Sequence, residues 1–256
     1  MLKTGLVSVT FRAFSSAAII DLAKKGRLQF IEWGGDIHVP HGDVQRAREV
    51  RRQTQESGLS VSAYGSYYRL AKSERDGLRF ESVLQCAVEL AAPTIRVWAG
   101  DRGSKDADAQ HWQSVVDNSR LIADLAAAQG ITISYESHVG TLTDTAETAR
   151  RLLDRVAHAN VKMFWQPAVN ESVQTNVDGL AALLPWLTNV HAYHWIPSGE
   201  SIEKLAFEEG ESAWRDYVNV IKTSGRDHVV SLEFVRGEDP EQLLRDAQVL
   251  NALLAE

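Results

Sequence analysis

The chain contains one cysteine, Cys86, so no disulfide can form within it. That economy fits a reducing compartment. The residue's setting in the helical pattern ESVLQCAVELAA reads as a small core side chain. Long apolar runs are missing as well. None approaches the roughly 18 residues of a membrane span. Arg12 and several Ser and Thr interrupt the first twenty residues, which leaves no secretory pattern. A cytoplasmic location and no membrane partner are expected. Basic excess is also absent: 27 Lys and Arg face 34 Asp and Glu, a net charge of −7. Without a basic face, nucleic acid is not expected as a partner. Proline is scarce, with 6 residues, and no Pro/Gly/Ser-rich linker divides the chain. One domain over residues 1–256 is the expectation.

What the sequence does contain is alternation. Short runs rich in β-formers fall near 5–10, 29–33, 59–65, 94–98, 131–136, 162–166, 188–194 and 228–234. Helical patterns separate and follow them, near 15–26, 43–57, 76–92, 107–129, 143–157, 174–185, 211–223 and 239–254. Eight strand–helix units predict an α/β fold, a single (β/α)8 TIM barrel. Gly26, Gly58 and Gly130 follow helical runs and read as left-handed caps. Thr143 and Asp239-Pro240 read as helix starts. The segment WIPSGESIEKLAFEEG makes the seventh loop long enough to act as a lid.

Four of the strand-like runs end in a polar side chain: Glu136 in ITISYESH, Gln166 in VKMFWQP, His191 in TNVHAYHW and Glu233 in HVVSLEFVRGE. A buried carboxylate is costly without a partner, and two beside an imidazole suggest a bound cation. Strand carboxyl ends are also where such barrels keep their active sites. Alternation along each strand lets all four face one mouth, with Ser134, Phe164, Asn189 and Ser231 sharing their faces. Mostly oxygen ligation with one imidazole suits Mn, Mg or Co, with Zn less favoured. Such an ion would polarise a carbonyl, and Glu136 and Glu233 could move a proton on either side of an enediolate. That is isomerase or epimerase chemistry on a sugar or related polyol, the small-molecule partner expected here.

Further residues cluster near the same strand ends. Trp33, Trp98, Trp165 and Trp195 could form an aromatic rim for a sugar. Glu32 and His38 could contact substrate hydroxyls or help hold the metal, and His138, which shares the parity of Glu136, could line the mouth. Arg12, Arg69 and Arg236 could anchor a phosphate or carboxylate. Substrate contacts are expected from Glu32, His38, Trp98, His138, Trp165 and Arg236.

The chain resembles the xylose-isomerase-like TIM barrel superfamily, specifically its sugar phosphate isomerase/epimerase group. The segments that carry the resemblance are IEWGGDIH, VSAYGSYYRL, TIRVWAG, YESH, NVHAYHW and SLEFVRGE. It implies one divalent ion held by Glu136, Gln166, His191 and Glu233, with the two glutamates as the acid–base pair. Two departures stand out. Gln166 occupies the place of an Asp, and His191-Ala192-Tyr193 replaces a His-x-Lys pattern. A neutral amide removes one charge from the site and lowers its expected hold on a cation. The other activities in view are a keto-inositol-type dehydratase using the same site and a non-catalytic sugar-binding barrel with a degraded metal site. Phosphodiester cleavage, which the fold also hosts, is disfavoured by the acidic balance and by too few ligands for several metals. The sequence leaves room for a homo-oligomer.

Overall fold

The computed structural model describes residues 1–199 and 201–256. Eight parallel strands close a barrel: β1 (Leu2–Val7), β2 (Phe30–Gly34), β3 (Ser60–Arg69), β4 (Thr94–Trp98), β5 (Thr132–Glu136), β6 (Val161–Trp165), β7 (Leu187–Ala192) and, after a two-stranded excursion, β10 (His228–Leu232). The excursion is the antiparallel hairpin β8 (Trp195–Ser198) and β9 (Ser201–Lys204). Closure comes from β10 pairing with both β7 and β1. Eight helices cover the outside: α1 (Ser16–Lys25), α2 (Val44–Glu56), α3 (Phe80–Leu90), α4 (Ala109–Ala127), α5 (Ala146–Val156), α6 (Val173–Leu183), α7 (Glu211–Lys222) and α8 (Pro240–Ala255). The alternation read from the sequence is thus the architecture observed. No helix among the described residues is long and apolar enough to cross a membrane.

The core lies in two shells. Between strands and helices sit outward residues such as Ile31, Trp33, Ile133, Tyr135, Trp165, Val190 and Val230, all buried. Inside the barrel the layer is polar and small. Ser134 shares hydroxyl bonds with Thr94 at 2.8 Å and Thr188 at 3.1 Å. Asn189 donates across the barrel to the Ser62 carbonyl at 3.2 Å. Such groups are affordable inside only because each finds a partner.

Local signals mark the joints with some displacements. Gly58 and Gly130 take positive φ after their helices, but Gly26 does not, and the left-handed residue there is Arg27. Helix α5 starts from Thr145, whose side chain and that of Thr148 cap one another's backbone N–H groups. Thr143 instead donates its hydroxyl to the Glu136 carbonyl at 2.6 Å and steadies the end of β5. Residues Ser8–Phe11 turn into a short 3-10 helix, so β1 ends earlier than its apolar run.

Candidate active site

The carboxyl ends of β2, β4, β5, β6, β7 and β10 bring one polar cluster into the mouth of the barrel. Glu136, His191 and Glu233 are all buried, and one donor atom from each lies within 4.8 Å of the others. His191 Nδ1 sits 3.4 Å from Glu233 Oε2, 3.6 Å from Glu136 Oε1 and 3.3 Å from Gln166 Oε1. Gln166 Nε2 donates to the Ser137 carbonyl at 2.7 Å. With its nitrogen committed there, the amide presents its oxygen to the cluster.

Behind these four groups is a second layer. Glu32 is fully buried on β2. Its Oε2 accepts from His191 Nε2 at 2.9 Å, and its Oε1 accepts from Arg96 Nε at 2.6 Å. Arg96 also donates to Glu136, as does the Trp98 indole N–H. Both its oxygens are engaged by these protein partners. Glu32 fixes the His191 tautomer so that Nδ1 faces the ligand cluster, the arrangement that orients metal-binding imidazoles. Gly65 on β3 makes room for it. A Cβ there would lie 2.6 Å from Glu32 Oε1 and 2.8 Å from Arg96 Nη2.

The charges explain the ionisation. Burial would lower the His191 pKa, but Glu233 and Glu32, with Glu136 beside them, raise it to about 10. Burial would raise Glu136, but Arg96 and then His191 hold it well below the usual carboxylate range. Glu233 goes the other way. Burial, with the Glu136 charge beside it, raises it to about 7 despite His191. A ligating His191 would first give up its Nδ1 proton; three glutamates and Arg96 would then leave two negative charges, which one divalent ion would balance. Two carboxylates, an imidazole and an amide oxygen directed at one point fit such an ion. The buried Glu136, His191 and Glu233 could therefore hold a metal, with Gln166 as an added neutral donor; its identity does not follow from the donor set.

Tyr67 was missed by sequence reasoning. A bulge in β3 falls between Gly65 and Tyr68, and Tyr67 there adopts φ +55. Its ring lies under Arg96 at 4.9 Å and edge-on to Trp98 at 5.6 Å. Burial raises its phenol to about 12, although Arg96 pulls the other way. A bulge has no sequence signature here beyond the nearby Gly65.

The other expected contacts divide. Trp98 and His138 stack at the mouth, with ring centroids 4.3 Å apart. Trp165 does not join them: it packs outward against Tyr217 at 5.1 Å and Trp214 at 6.3 Å. Trp33 also points outward and donates to Thr54 at 3.2 Å. The four-tryptophan rim is therefore corrected to Trp98 and Trp195. Alternation is the reason, since inward Glu32 and Gln166 force their neighbours Trp33 and Trp165 outward. His38 is buried against the Phe14 carbonyl at 3.1 Å and the edge of Trp33, away from the cluster. Arg236 is tied to Glu209 and Gln242, each at 3.1 Å. The bond to Glu209 ties it to the seventh loop. In that loop Trp195 stacks on Tyr193 at 3.8 Å and donates to the Phe234 carbonyl at 3.4 Å, which seats the hairpin beside β10.

This fold is a closed (β/α)8 barrel that carries a buried polar cluster at the carboxyl ends of its strands. The profile of the Xylose isomerase-like TIM barrel family matches residues 20–253, and the chain belongs to that family. A 3-dehydroshikimate dehydratase of Bacillus anthracis is 27% identical over 209 residues, covering 74% of this chain and 71% of that protein. The crystal structure of the probable 3-DHS dehydratase AsbF of the same organism superimposes with a TM-score of 0.83 at 22% identity, covering 97% of this chain and 98% of that one. An L-ribulose 3-epimerase structure gives a TM-score of 0.74 at 14% identity, covering 100% and 95%.

Proposed function

We propose that this protein is a divalent-metal-dependent lyase that removes water from a small polyhydroxy ketone. The observation that carries this reading is the unequal state of the two glutamates. Glu136 accepts from both Arg96 and Trp98, with His191 at 3.6 Å. Glu233 has only His191, at 3.4 Å, among the described residues. A carboxylate saturated with donors is a poor base, whereas Glu233, with His191 as its single partner among the described residues, is the freer of the two to move a proton. Epimerisation through an enediolate needs a second base to return the proton on the opposite face. Dehydration needs one: Glu233 takes the proton beside the carbonyl and hands it to the departing β-hydroxyl, which leaves as water. A divalent ion held by Glu136, His191, Glu233 and the Gln166 oxygen would polarise the carbonyl and stabilise the enolate. Trp98 and His138 stack on one another beside this cluster, and Trp98 donates its indole N–H to Glu136.

The similarity to a 3-dehydroshikimate dehydratase supports the same reaction class. Isomerase or epimerase action remains the second reading, favoured by the presence of two carboxylates on one cluster. The test is incubation of Mn²⁺-loaded protein in D₂O with 3-dehydroshikimate, a keto-inositol, and a panel of ketopentoses and ketohexoses. Loss of water from one of the first two is expected, and Glu233→Gln should slow it by about 10²–10⁴-fold. Deuterium uptake with the carbon skeleton and hydroxyl count intact would replace the lyase reading with the epimerase one.

A further inference from the structure

We infer that Arg69 forms an anion-recognition site at the mouth, so that the substrate of the lyase reading carries a carboxylate or phosphate remote from its reacting carbonyl. The inference rests on that reading for the identity of the reacting end, and on Arg69 for the other.

Three arginines near strand ends offered themselves as anion anchors, and the structure separates them. Arg12 is bonded to Asp36 and donates to the Tyr67 hydroxyl at 3.3 Å. Arg236 is held by Glu209 and Gln242. Arg69, the last residue of β3, makes no ion pair and no side-chain hydrogen bond among the described residues. Its guanidinium instead lies 4.2 Å from the centre of the Trp98 ring. Nearby Lys72 is already shared between Asp76 at 3.4 Å and Asp101 at 3.6 Å. Arg69 is thus a half-buried positive charge with its N–H donors uncommitted, held flat by an aromatic face.

Its position relative to the reacting groups follows from Trp98. The indole that carries Arg69 donates its N–H to Glu136. The cation is therefore one indole away from the ligand cluster. His138 stacks on that same indole. Its Nδ1 is committed to the Val139 carbonyl at 2.7 Å, which leaves Nε2 for a ligand. A small polyhydroxy ketone whose carbonyl enters the cluster would pass along Trp98 and bring its far end to Arg69. A planar guanidinium with free donors prefers a carboxylate or a phosphate there, which it can grip with two bonds.

The test is calorimetric and does not require turnover. Two matched pairs are titrated into Mn²⁺-loaded protein: 3-dehydroshikimate with its methyl ester, and ribulose 5-phosphate with ribulose. Wild type should bind the charged member of one pair roughly 10- to 100-fold more tightly than the neutral one, and the pair that responds tells carboxylate from phosphate. Arg69→Leu should erase that preference while leaving the neutral compound's affinity in place, and Arg69→Lys should restore part of it. Equal loss for charged and neutral compounds, an unchanged preference in Arg69→Leu, or no binding of any of the four to wild type would overturn the inference. Anion preference without water loss would sink the lyase reading alone. Water loss without Arg69-dependent preference would sink this inference alone.

Discussion

Gln166 and Ser137 are joined by a 2.7 Å bond from amide nitrogen to backbone carbonyl, and that bond decides which end of Gln166 faces His191. An amide oxygen is a neutral donor. With it the site holds two ligand carboxylates rather than three anionic groups, and a divalent ion neutralises it without excess. Gln166→Asp adds a charge and, being shorter, avoids the Ser137 carbonyl. It should tighten Mn²⁺ binding by about 1–3 kcal/mol. Titration of Mn²⁺ into stripped wild type and variant checks this, and equal or weaker binding by the variant removes Gln166 from the ligand set.

Glu32 works through His191 rather than on a ligand. Replacing it by Gln keeps the shape but removes the charge that holds Nε2–H and fixes the tautomer. Metal affinity should fall by about 10- to 100-fold. An unchanged affinity, measured by competition with a chelating dye, would show that the imidazole needs no orienting partner.

Gly65 tests the packing of the same layer. A methyl group there would collide with Glu32 and Arg96, two charged groups that are almost wholly buried. Gly65→Ala should cost about 1–3 kcal/mol from overpacking, and more if the ion pair separates. Chemical denaturation of the metal-free protein gives the figure; a variant as stable as wild type would show that the pair has room to shift.

The metal-free protein should have an unusual pH profile. His191 is raised from 6.5 to about 10 on folding, so its contribution is complete below 6.5 and is lost as pH rises through about 10. Glu233, raised from 4.5 to about 7, acts in the same direction, with its contribution complete below 4.5 and lost as pH rises through 7. Glu136 is lowered, so its contribution is present above 4.5 and is lost only as pH falls below that. Thermal melts in chelator should therefore decline from mildly acid pH toward pH 10. Mn²⁺ should reverse the trend, because its ligands bind deprotonated and the shift it confers grows with pH. Parallel melts with and without the ion at pH 5 to 9 would show this; a metal-induced shift that shrinks as pH rises would contradict it.

The barrel was legible because its signals are local. Strand runs, helix periodicity and loop residues repeat eight times, and each unit reports on itself. The convergence of Glu136, Gln166, His191 and Glu233 was legible for a related reason: strand alternation puts a side chain in or out, and parallel strands place their carboxyl ends at one mouth. The same alternation, applied to neighbours, would have turned Trp33 and Trp165 outward from sequence alone.

Partner choice was not legible. Sequence order does not say that Arg96 lies between Glu32 and Glu136, that Asp36 occupies Arg12 while Arg69 has no ion-pair partner among the described residues, or that a bulge drives Tyr67 to positive φ beneath Arg96. Those are decided by distances between residues far apart in the chain, set only when the eight strands close. The sequence by itself determined the barrel and the four strand-end groups, because both rest on local periodicity. Only the tertiary structure decided which carboxylate is clamped, which keeps a single partner and which arginine stays unpaired among the described residues, because Coulomb interactions and desolvation depend on three-dimensional separation and burial.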